Sequence, residues 1–127
     1  MAKGRILVMD DEELIRDVVS SMLEYLGYEV ELSSNGQEAL QKYSEALQGE
    51  KRFDMVIMDL TIPGGKGGKE VIRELLELDP AVKAIVSSGY SNDPVMSNYT
   101  EYGFKGVVNK PFKIEDLAKA LDQVLAA

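Results

Sequence analysis

Two residue types that carry much of protein chemistry are missing altogether. The 127-residue chain has no cysteine and no histidine. The first absence removes disulfides, thiolate metal sites and a cysteine nucleophile. The second removes imidazole catalysis and the zinc sites that depend on histidine. Positive charge is also scarce. With 14 basic and 22 acidic side chains the formal charge is -8, which speaks against a nucleic-acid groove or an anionic membrane surface, since both need a positive face. Long apolar runs are missing too. The start, MAKGRILVMDD, sets two acids directly after a short apolar run, so neither a signal peptide nor a membrane span is predicted and the expected location is the cytoplasm. Acids, hydroxyls and lysines are left to carry any chemistry.

What is present suits one compact unit. Apolar residues make up 45% of the chain, enough for a real core at this length but not for two ordinary domains, and a single domain is expected over 4–126. Ile6 to Met9 is a continuous apolar run ending in Asp10-Asp11, the pattern of a strand buried on both faces. Leu14, Ile15, Val18, Val19, Met22 and Leu26 then recur at helical spacing until Gly27. Tyr28, Val30 and Leu32 alternate with Glu29 and Glu31, which predicts a strand with one wet face, as at a sheet edge. Asn35 is placed to cap a second helix. Met55 to Met58 is another doubly buried strand, and it ends in Asp59 just before the break at Pro63-Gly64-Gly65.

A third helix through Val71, Ile72, Leu75 and Leu76 stops at Asp79-Pro80. Ala84 to Val86 is a fourth strand, closing in SSGY. Asp93-Pro94 starts a predicted helix that carries Val95, Met96, Tyr99 and Tyr102 to Gly103. Val107-Val108 is a short fifth strand, and Ile114 to Leu125 a last amphipathic helix. Alternating strands and helices of this kind call for an α/β fold, a parallel sheet with helices on both faces. The wet second strand favours the order 2-1-3-4-5, the flavodoxin-like (βα)5 arrangement.

In that order the strand sequence reverses between strands one and three, and ligands bind outside the strand ends at the reversal. Asp10, Asp11 and Asp59 would converge there. Three carboxylates repel one another unless a cation neutralises them. Mg2+ is the natural choice, because it takes hard oxygen ligands and keeps several waters. The fourth strand adds Ser87 or Ser88 and the fifth adds Lys110. Each feature alone has a plainer explanation: an Asp pair caps a helix, a serine pair makes a turn, a lone lysine is a solvated charge. Together they supply what an incoming phosphoryl group needs, with Asp59 as nucleophile.

At this point the sequence resembles the receiver domains of two-component response regulators. The landmarks are DD at Asp10-Asp11, MDL at Met58 to Leu60, SG at Ser88-Gly89 and KP at Lys110-Pro111, each at a strand end and in order. The resemblance implies that Asp59 accepts a phosphoryl group from a phosphohistidine on a sensor histidine kinase or phosphotransfer domain. It implies Mg2+ held by Asp10, Asp11, Asp59 and the Thr61 carbonyl, with Lys110 pairing with the phosphoryl oxygens. Ser88 rather than Ser87 becomes the hydroxyl that follows the phosphoryl group, because it precedes a small residue, Gly89. A cis bond is expected at Lys110-Pro111.

The resemblance further implies a switch that controls an attached or separate effector, slow loss of phosphate without turnover of an external substrate, no direct nucleic-acid or membrane partner, and a weak homodimer as one assembly. Thr61 and Tyr90 stand where side chains of the family screen attacking water. Tyr99, Tyr102 and Val107 fall on the expected output face, and Val107 occupies the position where many receivers carry a rotating aromatic ring, so a ring switch is not expected. MDLTIPGG, SSGYS and the KPF segment are most similar to receivers attached to hybrid sensor histidine kinases. Rival readings are a receiver-like module that only binds partners and a haloacid-dehalogenase-like phosphatase, which would need an acid where Thr61 stands. A flavodoxin-like carrier is a further rival, disfavoured because the acids of DDEE would repel its phosphate.

Overall fold

The computed structural model describes residues 3–90 and 92–126. Met1, Ala2, Ala127 and Ser91, the last residue of SSGYS, lie outside the described residues. Strands β1 (Arg5–Met9), β2 (Glu29–Ser33), β3 (Met55–Asp59), β4 (Ala84–Ser88) and β5 (Gly106–Asn109) alternate with helices α1 (Glu13–Tyr25), α2 (Gly36–Gln48), α3 (Gly68–Leu78), α4 (Pro94–Ser97) and α5 (Ile114–Ala126). All neighbouring strands pair in parallel, in the order β2-β1-β3-β4-β5. The expected order is the observed one.

The two-residue period of the strands splits the core into two layers. Leu7, Met9, Val56, Met58, Ala84 and Val86 face α2, α3 and α4, where they meet Ala39, Tyr43, Val71, Ile72, Leu75 and Met96. Ile6, Val8, Met55, Ile57, Ile85 and Val108 face the other way, onto Val19 and Leu23 of α1 and Leu117, Leu121 and Val124 of α5. Continuous apolar runs in β1, β3 and β4 are thus explained by helices on both sides. The edge strand β2 is less cleanly alternating than its sequence suggests, because Glu31 is partly covered by ion pairs with Arg5 and Lys42.

The fourth helix differs from expectation. It is a single turn, and after Asn98 (φ -115°, ψ 35°) the chain continues as a 3-10 turn over Tyr99–Tyr102. Ser97, Asn98, Tyr99 and Thr100 are all indifferent helix formers, and Asn98 leaves the helical region, so the tighter i to i+3 bonding takes over. Gly103 (φ 103°) then closes the segment, and a side chain there would also strike Leu76 of α3. Asp93 does cap α4 as read, its carboxylate accepting from the Val95 N–H at 2.9 Å. Asn35 likewise caps α2 through the Glu38 N–H at 2.8 Å.

Candidate functional site

Each reactive side chain sits at the carboxyl end of a strand whose backbone is tied to its neighbour. Asp10 follows β1 and its N–H donates to the Ser33 carbonyl at 3.1 Å. Asp59 ends β3 and is paired in register with Ser87, and the next N–H, of Leu60, donates to the Ser87 carbonyl at 2.9 Å. Lys110 follows β5 and donates its N–H to the Ser88 carbonyl at 3.0 Å. Side chains from four strand ends therefore meet at one rim, at the reversal of strand order between β1 and β3.

Lys110 joins the acids. Its Nζ lies 2.6 Å from Asp10 Oδ2 and 3.2 Å from Asp59 Oδ2. Both acids are buried, at 2% and 7% exposure. Burial pushes the Asp59 carboxyl up to about 6; Lys110 and the Thr61 N–H pull it down and Asp10 pushes it further up. Burial alone would lower the Lys110 ammonium, but its hydrogen bond to Asp10 and the charges of Asp59 and Asp10 leave it raised. Desolvation thus outweighs pairing at Asp59, whereas pairing outweighs desolvation at Lys110.

Over this cluster opens a cavity of about 630 Å³ lined by Asp11, Glu12, Asp59, Thr61, Pro63, Ser88, Gly89, Tyr90 and Lys110. Asp11, Asp59, Thr61, Ser88, Tyr90 and Lys110 are all residues the sequence points to, and Asp10 lies buried beside Lys110. Ser88 Oγ accepts from the Tyr90 N–H at 3.0 Å, whereas Ser87 Oγ donates to the Met58 carbonyl at 3.4 Å, away from the cavity lining. The Lys110-Pro111 bond is cis. Asp10 and Asp11 do not cap α1: Glu12 is its N-cap residue, and Asp10 Oδ1 instead accepts from the Glu12 N–H at 3.0 Å.

Val107, Tyr99 and Tyr102 lie elsewhere, half-buried against the α3-side core, with Lys69 Nζ 5.6 Å from the Tyr102 ring centre. Two contributors went unread in the sequence. Glu12 reaches the cavity, and its only signal is that it follows the Asp pair. Arg16 donates from Nη1 to the Asp10 carbonyl at 2.8 Å, a contact made across a turn that spacing alone does not reveal.

The donor set fits Mg2+. Carboxylate oxygens of Asp10, Asp11 and Glu12 lie within 4.8 Å of one another, a grouping of hard oxygen donors of the kind Mg2+ takes. The loop that carries Thr61 is held equally closely. Gly68 donates to the Leu60 carbonyl at 3.0 Å, and a Cβ on Gly67 would come within 2.2 Å of that oxygen. Only glycine lets α3 begin against the segment that bears the Thr61 carbonyl.

A parallel (βα)5 sheet with an acid–lysine cluster at its topological switch point defines a phosphoryl-accepting signalling module. Residues 6–122 match the response regulator receiver domain, and the chain belongs to that family. It is similar to the chemotaxis protein CheY of Thermotoga maritima, at 32% identity over 94% of this chain and 96% of CheY. The uncharacterized transcriptional regulatory protein YkoG of Bacillus subtilis is 35% identical over 92% of this chain, which spans only 49% of YkoG. The sensor kinase CckA of Brucella abortus is 32% identical over 94% of this chain, which spans 12% of CckA. Among solved structures, the receiver domain of sensor histidine kinase PA1611 from Pseudomonas aeruginosa PAO1, with a magnesium ion coordinated in its active-site cleft, superposes with a TM-score of 0.84 at 25% identity, covering 99% of this chain and 100% of that one. The chain is a two-component receiver. No helix among the described residues is long and apolar enough to cross a membrane.

Proposed function

We propose that Asp59 is the phosphoryl acceptor of this receiver and that Lys110, Ser88 and the acids of the β1–α1 turn form its transfer site. The observation that carries the reading is the Lys110 ammonium, in contact with both Asp10 and Asp59 under a cavity open to solvent. In the transfer, an Asp59 carboxylate oxygen forms a bond to phosphorus as the donor's N–P bond breaks, and the departing imidazole takes up a proton from water. Lys110 meets the charge on the phosphoryl oxygens. Ser88 Oγ, released from the Tyr90 N–H, turns to donate to one of them. Asp10, Asp11, Asp59 and the Thr61 carbonyl are the oxygens that would hold Mg2+, which when bound neutralises the charge of the acids and the transferring group. The family's magnesium-bearing relative supports this assignment.

A sensor kinase or phosphotransfer protein is the partner class that supplies the donor's imidazole, and Leu14 on the first turn of α1, 72% exposed, is an apolar side chain free to meet it. Similarity to part of the sensor kinase CckA supports a sensor-kinase context. The protein on this reading catalyses only its own phosphorylation and dephosphorylation. Intact mass after incubation with acetyl phosphate and Mg2+ tests it. One phosphoryl adduct is expected on the parent chain and none on Asp59→Asn; an adduct on the variant would place the acceptor elsewhere.

Thr61 and Tyr90 are exposed at the cavity's edge, Tyr90 at 72%, well placed to shield the acyl phosphate from water. The double variant Thr61→Ala, Tyr90→Ala is expected to lose its phosphoryl group several times faster than the parent. Decay followed by mass spectrometry at the parent rate would remove the pair from this role.

A further inference from the structure

We propose that Arg16 is a positioning residue of the acidic pocket, holding the β1–α1 turn so that Asp10 and Asp11 present their oxygens to a cation. The inference rests on the reading of that pocket as a Mg2+ site. The last ladder pair of β1 is Met9 with Ser33 on one side and with Met58 on the other, so the Asp10 carbonyl lies beyond the sheet. Asp10 is buried at this point, and a buried carbonyl needs a donor. Arg16 Nη1 supplies it at 2.8 Å.

The anchoring closes on itself. The Arg16 N–H donates to the Glu12 carbonyl at 3.0 Å, the Glu12 N–H donates to Asp10 Oδ1 at 3.0 Å, and Asp10 Oδ2 meets Lys110 at 2.6 Å. Main chain and side chain of Asp10 are thereby fixed by three different donors, and Asp11 is carried between two anchored residues. Without Arg16 the peptide after Asp10 is free to rotate toward water, taking the Asp11 carboxylate with it. Two effects of the guanidinium oppose each other. Its positive charge repels a divalent cation, while its hydrogen bond aligns the cation's ligands. The hydrogen bond is direct and short, whereas the charge is delocalised over a half-buried group that solvent screens, so alignment dominates. Arg16 acts on the main chain of Asp10 rather than on its carboxylate, and outer partners of this kind that orient metal ligands commonly change metal affinity by about 10-fold or more.

Calorimetric titration of the parent, Arg16→Met and Arg16→Lys with Mg2+, beside metal-free thermal unfolding, decides it. Arg16→Met keeps the apolar stem and removes the donor; it is expected to bind Mg2+ about 10-fold more weakly. Arg16→Lys restores a cationic donor and is expected to recover most of that loss. Mg2+ binding by Arg16→Met at parent strength or tighter overturns the proposal, as does a weakened Arg16→Lys with no recovery. A purely structural role would lower the unfolding temperature and leave Mg2+ affinity unchanged. If the parent itself fails to bind Mg2+, it is the reading of the pocket that falls.

Discussion

Lys110→Ala should take up phosphoryl groups about 100-fold more slowly than the parent, the scale for losing one preorganised charge donor, and at pH 7 it should unfold roughly 10 °C lower. The Lys110 ammonium is in contact with both Asp10 and Asp59. Removing it strands two carboxylates that are almost fully enclosed. Breaking a buried ion pair from one side typically costs about 3 to 5 kcal/mol, and the lower end applies because the cavity admits water beside Asp59. The deficit should shrink on acidification, since Asp59 is already protonated below about pH 6 and one of the two stranded charges then disappears. Thermal unfolding at pH 5 and pH 7.5, in the absence of Mg2+, measures this. An equal deficit at both pH values would mean that packing of the lysine stem, rather than charge, is what was lost.

Asp59→Asn should be more stable than the parent at neutral pH in the absence of Mg2+, by about 2 to 3 kcal/mol. The sign follows from the direction of the shift. The Asp59 carboxyl is raised from 3.8 to about 6 by burial, so the folded state holds its proton more tightly than the unfolded chain does. Between those values folding takes up protons, and stability falls as pH rises. Lys110, shifted upward from 10.5, stays charged throughout this window and adds no slope. Asparagine has the shape of aspartic acid without the charge, so the variant should show a flatter profile, with the gap opening above pH 4 and complete near pH 7. Saturating Mg2+ should close the gap by favouring the folded parent. Denaturant unfolding of both proteins at several pH values, with and without Mg2+, tests this; a variant less stable than the metal-free parent at pH 7.5 contradicts it.

The acids at the strand ends stood out in the sequence for a structural reason. A run such as Met55 to Met58 that is buried on both faces has no structural need of a carboxylate at its end, and the same holds for Ile6 to Met9. The alternation in Glu29 to Leu32 marked an edge strand, which settled the strand order and so the rim on which the acids meet. Contacts between segments were harder to read. Arg16 reaches back to Asp10 only because α1 turns at a particular angle, and Gly67 is recognisable as a contact glycine only once Leu60 lies against it. The break at Asn98 is hidden because Val95, Met96, Tyr99 and Tyr102 keep a helical spacing whichever helix carries them. Periodicity reports which face is apolar, and it is blind to small changes in pitch over four residues.

The backbones that carry Asp10, Asp59 and Lys110 are all locked into the sheet through Ser33, Ser87 and Ser88. The anvil is therefore bolted to the sheet on three sides. At the same rim the Ser88 side chain is linked to the Tyr90 N–H, in the connection that leads to the one-turn α4. Val107, packed with Tyr99 and Tyr102 against the α3-side core, has no ring of its own to turn, so a rotating ring at that position is not available to this chain.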